Sequence, residues 1–84
     1  MKLIKFQADW CMPCQRQKEE FRINPIKNIE LIEIDIDDDI DNLSEKYKVM
    51  SIPTLILIDD NDNLINKWIG FTKSEIINDY IKNL

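Results

Sequence analysis

Apolar and polar residues alternate most cleanly between Glu30 and Asp37, where Ile32, Ile34 and Ile36 are separated by Glu33, Asp35 and Asp37. That period of two predicts a strand with one face buried. Lys2 to Gln7 reads as another strand, with Leu3, Ile4 and Phe6 apolar. Thr54 to Ile58 is almost wholly apolar and rich in β-formers, as expected of a central strand covered on both faces. The Asx-rich turn Asp59-Asp60-Asn61-Asp62-Asn63 joins it to a return strand, Leu64 to Ile69, in a hairpin.

Between the strands the pattern becomes helical. A helix is predicted from about Cys11 to Ile23, with Pro13 in its first turn, where the missing N–H costs nothing. Asn24-Pro25 ends it, because a residue before proline is pushed out of the helical region. Asp39 or Asp41 can cap a short helix running to about Lys48, with Ile40, Leu43 and Tyr47 as its buried stripe. After Gly70, Thr72-Lys73-Ser74-Glu75 has the form of a capping box for a last helix whose apolar face is Ile76, Ile77, Tyr80, Ile81 and Leu84. The order β-α-β-α-β-β-α implies an α/β domain spanning residues 1–84: a mixed sheet of about four strands, helices on both faces, parallel β-α-β crossovers and an antiparallel hairpin edge.

Composition narrows the function. The 84 residues suffice for one domain, and no linker or repeat interrupts them. No apolar run approaches the roughly 20 residues that span a bilayer, and no secretory signal is read, so the expected location is the cytoplasm, with no membrane partner. A net charge of −5 with dispersed Lys and Arg argues against nucleic acid. Histidine is absent, which excludes a histidine-based triad and a histidine-bearing zinc site.

Both cysteines lie in Trp10-Cys11-Met12-Pro13-Cys14, at the junction of the first strand and first helix. Two cysteines cannot complete a four-ligand zinc site, nor the disulfide framework of a small secreted domain. Disulfide exchange requires a thiolate, and a helix start favours negative charge, lowering a cysteine from about 8.5 to about 7 or below. Cys11 is therefore expected to attack a substrate disulfide, and Cys14, less exposed within the first turn, to resolve the mixed disulfide. The plain alternatives are an inert pair or half of a metal site clipped between two chains. Trp10 offers an apolar flank to a protein substrate, or simply covers the core edge, as Trp68 is expected to do. The acidic run Asp35 to Asp41 does not fit a calcium loop, since Ile40 stands where glycine is needed and Lys46 where a bidentate glutamate is needed.

These residues resemble the thioredoxin family. Ala8 to Cys14 is similar to its strand followed by Trp-Cys-Gly-Pro-Cys, and Ser51-Ile52-Pro53-Thr54 to its Ile-Pro-Thr. Trp68-Ile69-Gly70-Phe71 is similar to its apolar-glycine segment. The resemblance implies a thioredoxin-like fold in a minimal, glutaredoxin-sized form without the family's N-terminal strand and helix. It also implies a cis Pro53 facing the dithiol, against roughly 5–6% of X-Pro bonds in general. Substrate would then be held by Trp10, Met12, Pro13, Ile52, Pro53, Ile69 and Gly70. The implied activity is reduction of protein disulfides by a monomer with no bound cofactor or metal. Electrons would come from a partner reductase using NADPH. A glutaredoxin re-reduced by glutathione is the close rival, but the Trp-Cys start and the lack of a Gly-Gly-Asp-like segment speak against it. Met12 stands where the family has glycine. The family's buried aspartate and neighbouring lysine correspond to Lys5 and Glu33, an exchange of sign. Either Glu33 takes the buried acid's role as proton relay to Cys14 with Lys5 as counter-ion, or the two form a solvated ion pair worth about 0–1 kcal/mol.

Overall fold

The computed structural model describes all residues, 1–84. Strand β1 spans Lys2–Gln7, helix α1 Met12–Ile23 and strand β2 Glu30–Asp35, followed by a single 3-10 turn, Ile36–Asp38. Helix α2 spans Leu43–Lys46, strands β3 and β4 Thr54–Ile58 and Leu64–Ile69, and helix α3 Ser74–Lys82. The four strands form one sheet in the order β2-β1-β3-β4. β1 pairs with β2 in parallel and with β3 antiparallel, and the β3–β4 hairpin is antiparallel.

Alternation along β1 and β3 divides the core. Leu3, Leu55 and Leu57 face Phe21 of α1 and Ile77 of α3. Ile4, Phe6, Ile56 and Ile58 face the opposite way, onto Tyr47 and the segment around α2. Helices thus cover both faces, and β3 is buried at every position, as its apolar run requires. Half-buried Trp68 packs against the first of these clusters and meets Tyr80 edge to face at 5.4 Å between ring centroids, so it covers the core edge as expected.

Several local expectations are corrected. β2 stops at Asp35 rather than Asp37, because the Asp35 carboxylate accepts the Asp37 N–H at 2.9 Å and turns the chain into the 3-10 turn. Asp39, not Asp41, holds α2, accepting the N–H groups of Leu43 and Ser44 at 3.0 and 2.8 Å. The helix therefore begins at Leu43, and Ile40, expected in its buried stripe, is left in the preceding turn, 84% exposed. Only the first β-α-β unit is parallel. A four-residue helix rises about 6 Å, far less than the strand length it would have to retrace, so the chain re-enters the sheet from the end at which it left.

The local capping box does not form. Thr72 donates its hydroxyl to the Gly70 carbonyl, and the first N–H of α3, that of Ser74, is taken at 2.8 Å by Glu20 of α1. On α3, Ile77 is buried and Tyr80 and Ile81 pack on the core, whereas Ile76 and Leu84 are exposed.

Candidate active site

The dithiol sits where β1 hands over to α1. The Cys11 N–H is fixed by the Ala8 carbonyl at 3.2 Å, and Cys11 is the N-cap of α1, with Pro13 in the first turn. Its sulfur accepts the Cys14 N–H at 3.1 Å. Negative charge on that sulfur is therefore met by one of the helix's unpaired donors and by its positive end. Cys11 and Cys14 are joined in a disulfide, with Cα atoms 5.2 Å apart. Both are nearly covered, at 5% and 2% exposure, packing with Ala8 and against Ile36 and Ile52. The expected difference in exposure exists but is small.

Three walls surround the pair. Trp10 stands on one flank, mostly exposed, its indole N–H donating to Asp37 at 2.9 Å. Across from the sulfurs the Ile52-Pro53 bond is cis, and the Ile52 carbonyl oxygen lies 3.8 Å from the Cys11 sulfur. Pro53 is buried and Ile52 half-buried. The third wall is Ile69-Gly70-Phe71, anchored where the Gly70 N–H meets the Pro53 carbonyl at 2.8 Å. Gly70 adopts φ +86°, which an L side chain tolerates poorly even though a Cβ there would touch nothing. The side chains of Trp10, Met12 and Ile69 are exposed around covered sulfurs, and Pro13 is also exposed. A groove of about 380 Å³ lined by Trp10, Ile36, Val49, Met50 and Ile52 continues this apolar rim.

One residue of this site escapes notice in the sequence. Gln17, fully buried on α1, donates its amide N–H to the Thr72 carbonyl and accepts the Thr72 N–H, both at 2.8 Å. It binds the third wall to the helix that carries Cys14. Arg16, one residue earlier, lies 4.7 Å from the centre of the Phe71 ring. The only sequence signal for Gln17 is its place between Cys14 and Phe21 on one helical stripe.

Lys5 and Glu33 are cross-strand partners, with nitrogen and oxygen 3.5 Å apart. The burial falls on the opposite member from the one expected: Lys5 is 1% exposed, whereas the Glu33 side chain is 46% exposed. Glu33 is therefore not a buried acid, and the pair is not a solvated one. Burial pushes the Lys5 ammonium's pKa down; Glu33 partly offsets this, and Lys18 adds to it. No group of three or more Cys, Asp or Glu side chains is arranged to hold a metal ion.

The thioredoxin family model matches residues 1–83. The chain is 35% identical over 78 residues to a thioredoxin of Staphylococcus epidermidis, covering 89% of this chain and 73% of that protein. A Staphylococcus aureus thioredoxin is 33% identical over the same coverage. Among solved structures, a thioredoxin point mutant from Halobacterium salinarum superposes with a TM-score of 0.83 at 28% identity, over 98% of this chain and 72% of that one. Thioredoxin-2 of the malaria parasite, described as a component of the parasite's protein secretion machinery, gives 0.79 at 28% identity, over 99% and 82%. A cysteine pair bridging a helix start, opposite a cis proline, in a sheet of this order thus meets sequence and structural kinship at once: the chain belongs to the thioredoxin family and is a thiol–disulfide oxidoreductase of thioredoxin rather than glutaredoxin type.

Proposed function

We propose that the protein reduces disulfides of protein substrates in the cytoplasm, as a monomer without bound cofactor, drawing electrons from an NADPH-dependent thioredoxin reductase. The observation that carries the division of labour is the Cys14 N–H on the Cys11 sulfur at 3.1 Å. The thiolate of Cys11 attacks a substrate disulfide, one substrate sulfur leaves and takes a proton, and a mixed disulfide forms. Cys14, having lost its proton, then attacks the Cys11 sulfur. This releases the second substrate sulfur, and the Cys11–Cys14 bond re-forms with the substrate reduced by two electrons.

The apolar rim of Trp10, Met12, Pro13 and Ile69 supports docking of a partner's apolar surface, with Ile52-Pro53 and Gly70 offering backbone beside the sulfurs. The test is insulin-disulfide reduction with NADPH and thioredoxin reductase, run beside glutathione. Wild type is expected to turn over with the reductase. Cys14→Ser should accumulate a mixed disulfide with substrate, and Cys11→Ser should form none. Trapping through Cys14 in the Cys11 variant would reverse the assignment, and turnover with glutathione alone would replace the electron donor.

A further inference from the structure

Lys5 is the one ionisable side chain other than the cysteines and Tyr47 among the buried residues, and the only one of them that carries charge at neutral pH. Its charge is poorly matched. Glu33 is half in solvent and at 3.5 Å, the long limit of a hydrogen bond. Lys18 and Arg22 of α1 share with Lys5, Glu33, Phe21 and Leu31 a cavity of about 200 Å³, and Arg22 is already engaged by Glu19. A buried ammonium facing two further cations and one half-solvated carboxylate is costly in the form the structure holds, in which the cysteines carry no charge.

Its position suggests what completes it. Lys5 shares a face of β1 with Leu3, against α1, and is opposed on β3 by Leu55, which offers no polar group. On α1 the side chains that share its cavity are Lys18, Phe21 and Arg22, and Lys18 is one turn, about 6 Å of rise, beyond Cys14. Two electrons and one proton open the Cys11–Cys14 bond and leave one thiol and one thiolate. A negative charge then arises at the start of α1, one turn before the Lys18 side chain that shares the cavity of the Lys5 ammonium.

We infer that Lys5 is the buried counter-charge of the reduced site, a positioning residue that stabilises the dithiol's thiolate and so raises the protein's reduction potential. This rests on the dithiol reading of Cys11 and Cys14. Stabilising the reduced form makes the pair more oxidising. Glu33 moderates the effect by competing for the same ammonium, while Lys18 and Arg22 add positive potential from α1.

The experiment equilibrates wild type, Lys5→Met and Glu33→Gln with dithiothreitol redox buffers and counts alkylated thiols by mass. The rate of Cys11 alkylation by iodoacetamide is then followed against pH. Lys5→Met should shift the equilibrium about tenfold toward the disulfide, a potential about 30 mV more negative, and move the alkylation profile to higher pH. Glu33→Gln, at a half-exposed edge position, should shift both in the opposite direction. A merely structural Lys5 would move neither. Less than a twofold change with an unmoved profile in a natively folded Lys5→Met overturns the inference, and so, if that variant does not fold, does an unmoved Glu33→Gln. Failure of wild type to reduce insulin would count against the dithiol reading alone, because the potential is measured without a protein substrate.

Discussion

Replacing Gln17 with leucine tests whether the Ile69-Gly70-Phe71 wall and the helix that carries Cys14 are one mechanical unit. The leucine keeps most of the volume but removes a donor and an acceptor, each 2.8 Å from the Thr72 backbone. Thr72 is itself buried, so its N–H and C=O lose their partners without gaining water. Each of the two unsatisfied groups costs about 1–3 kcal/mol, and the added apolar burial returns about 1, giving a net loss centred on about 3 kcal/mol within a range of about 1–5. A chain of 84 residues has about 4–13 kcal/mol to lose. The melting temperature of the oxidised protein, followed by far-UV circular dichroism, should fall by about 10–25 °C. On the proposed docking role of this wall, KM for insulin should rise, because the segment after Gly70–Phe71 loses its tie to α1 at Thr72, while the rate of reduction by dithiothreitol, which needs no wall, changes little. Gln17→Glu keeps the acceptor but buries a charge and lacks the donor, so it should be no better at neutral pH. A fall of less than about 4 °C in Gln17→Leu, under 1 kcal/mol, would refute the reasoning and show that Thr72 is held by something else.

On α3, Ile77→Ala should cost about 2–4 kcal/mol in urea denaturation and Ile76→Ala less than about 0.5, since the first is fully buried and the second exposed; equal costs would mean that α3 docks on another face. Acid should weaken the fold through two turns. The Asp59 carboxyl is held below its usual pKa by the N–H groups of Asn63 and Asn61; for Asp39, burial pushes upward but the hydrogen bonds from Ser44 and Leu43 prevail. Both groups are lower in the folded state, so their contribution is complete above the unfolded value near 4 and is lost as pH falls through the folded value. Asp39→Ala and Asp59→Ala should each flatten the decline in melting temperature below pH 4, and an unchanged acid limb in both would refute the assignment.

Much of this was legible because strand and helix periods and the strongest turn residues act locally. Thr54 to Ile58 declared a central strand, Asn24-Pro25 a helix end and Asp59 to Asn63 a turn, and each is found there. Some errors lie in the choice among local aspartate caps, as at Asp35 and Asp39, and the others arise where a distant partner outbids a local one. Thr72 to Glu75 carries the letters of a capping box, yet the α3 N–H is satisfied by Glu20, 54 positions away. Gln17 stands in the polar run Gln15-Arg16-Gln17-Lys18, and although its spacing from Cys14 and Phe21 puts it on their stripe, nothing local says that its amide is paired with a segment 55 positions on. The Lys5 result was partly available: the alternation that buries Leu3 places Lys5 on the same face, and only the assumption that an acid belongs inside obscured it.

Why the dithiol and its third wall depend on each other follows from what α1 buries. Its covered residues are Cys14, Gln17 and Phe21, so a single large apolar side chain anchors a twelve-residue helix. An amphipathic helix of that length ordinarily lays three or four apolar residues per two turns on its sheet. What α1 lacks in apolar burial is supplied by polar ties to one short segment, Gln17 to Thr72 and Glu20 to Ser74. Those ties are directional where apolar packing is not, so they fix the distance between the Cys14 helix and Gly70–Phe71 as well as the stability of the contact. A displacement of the Gly70–Phe71 wall is therefore passed through Thr72 and Ser74 to the helix that carries Cys14, so the wall and the dithiol move as one unit.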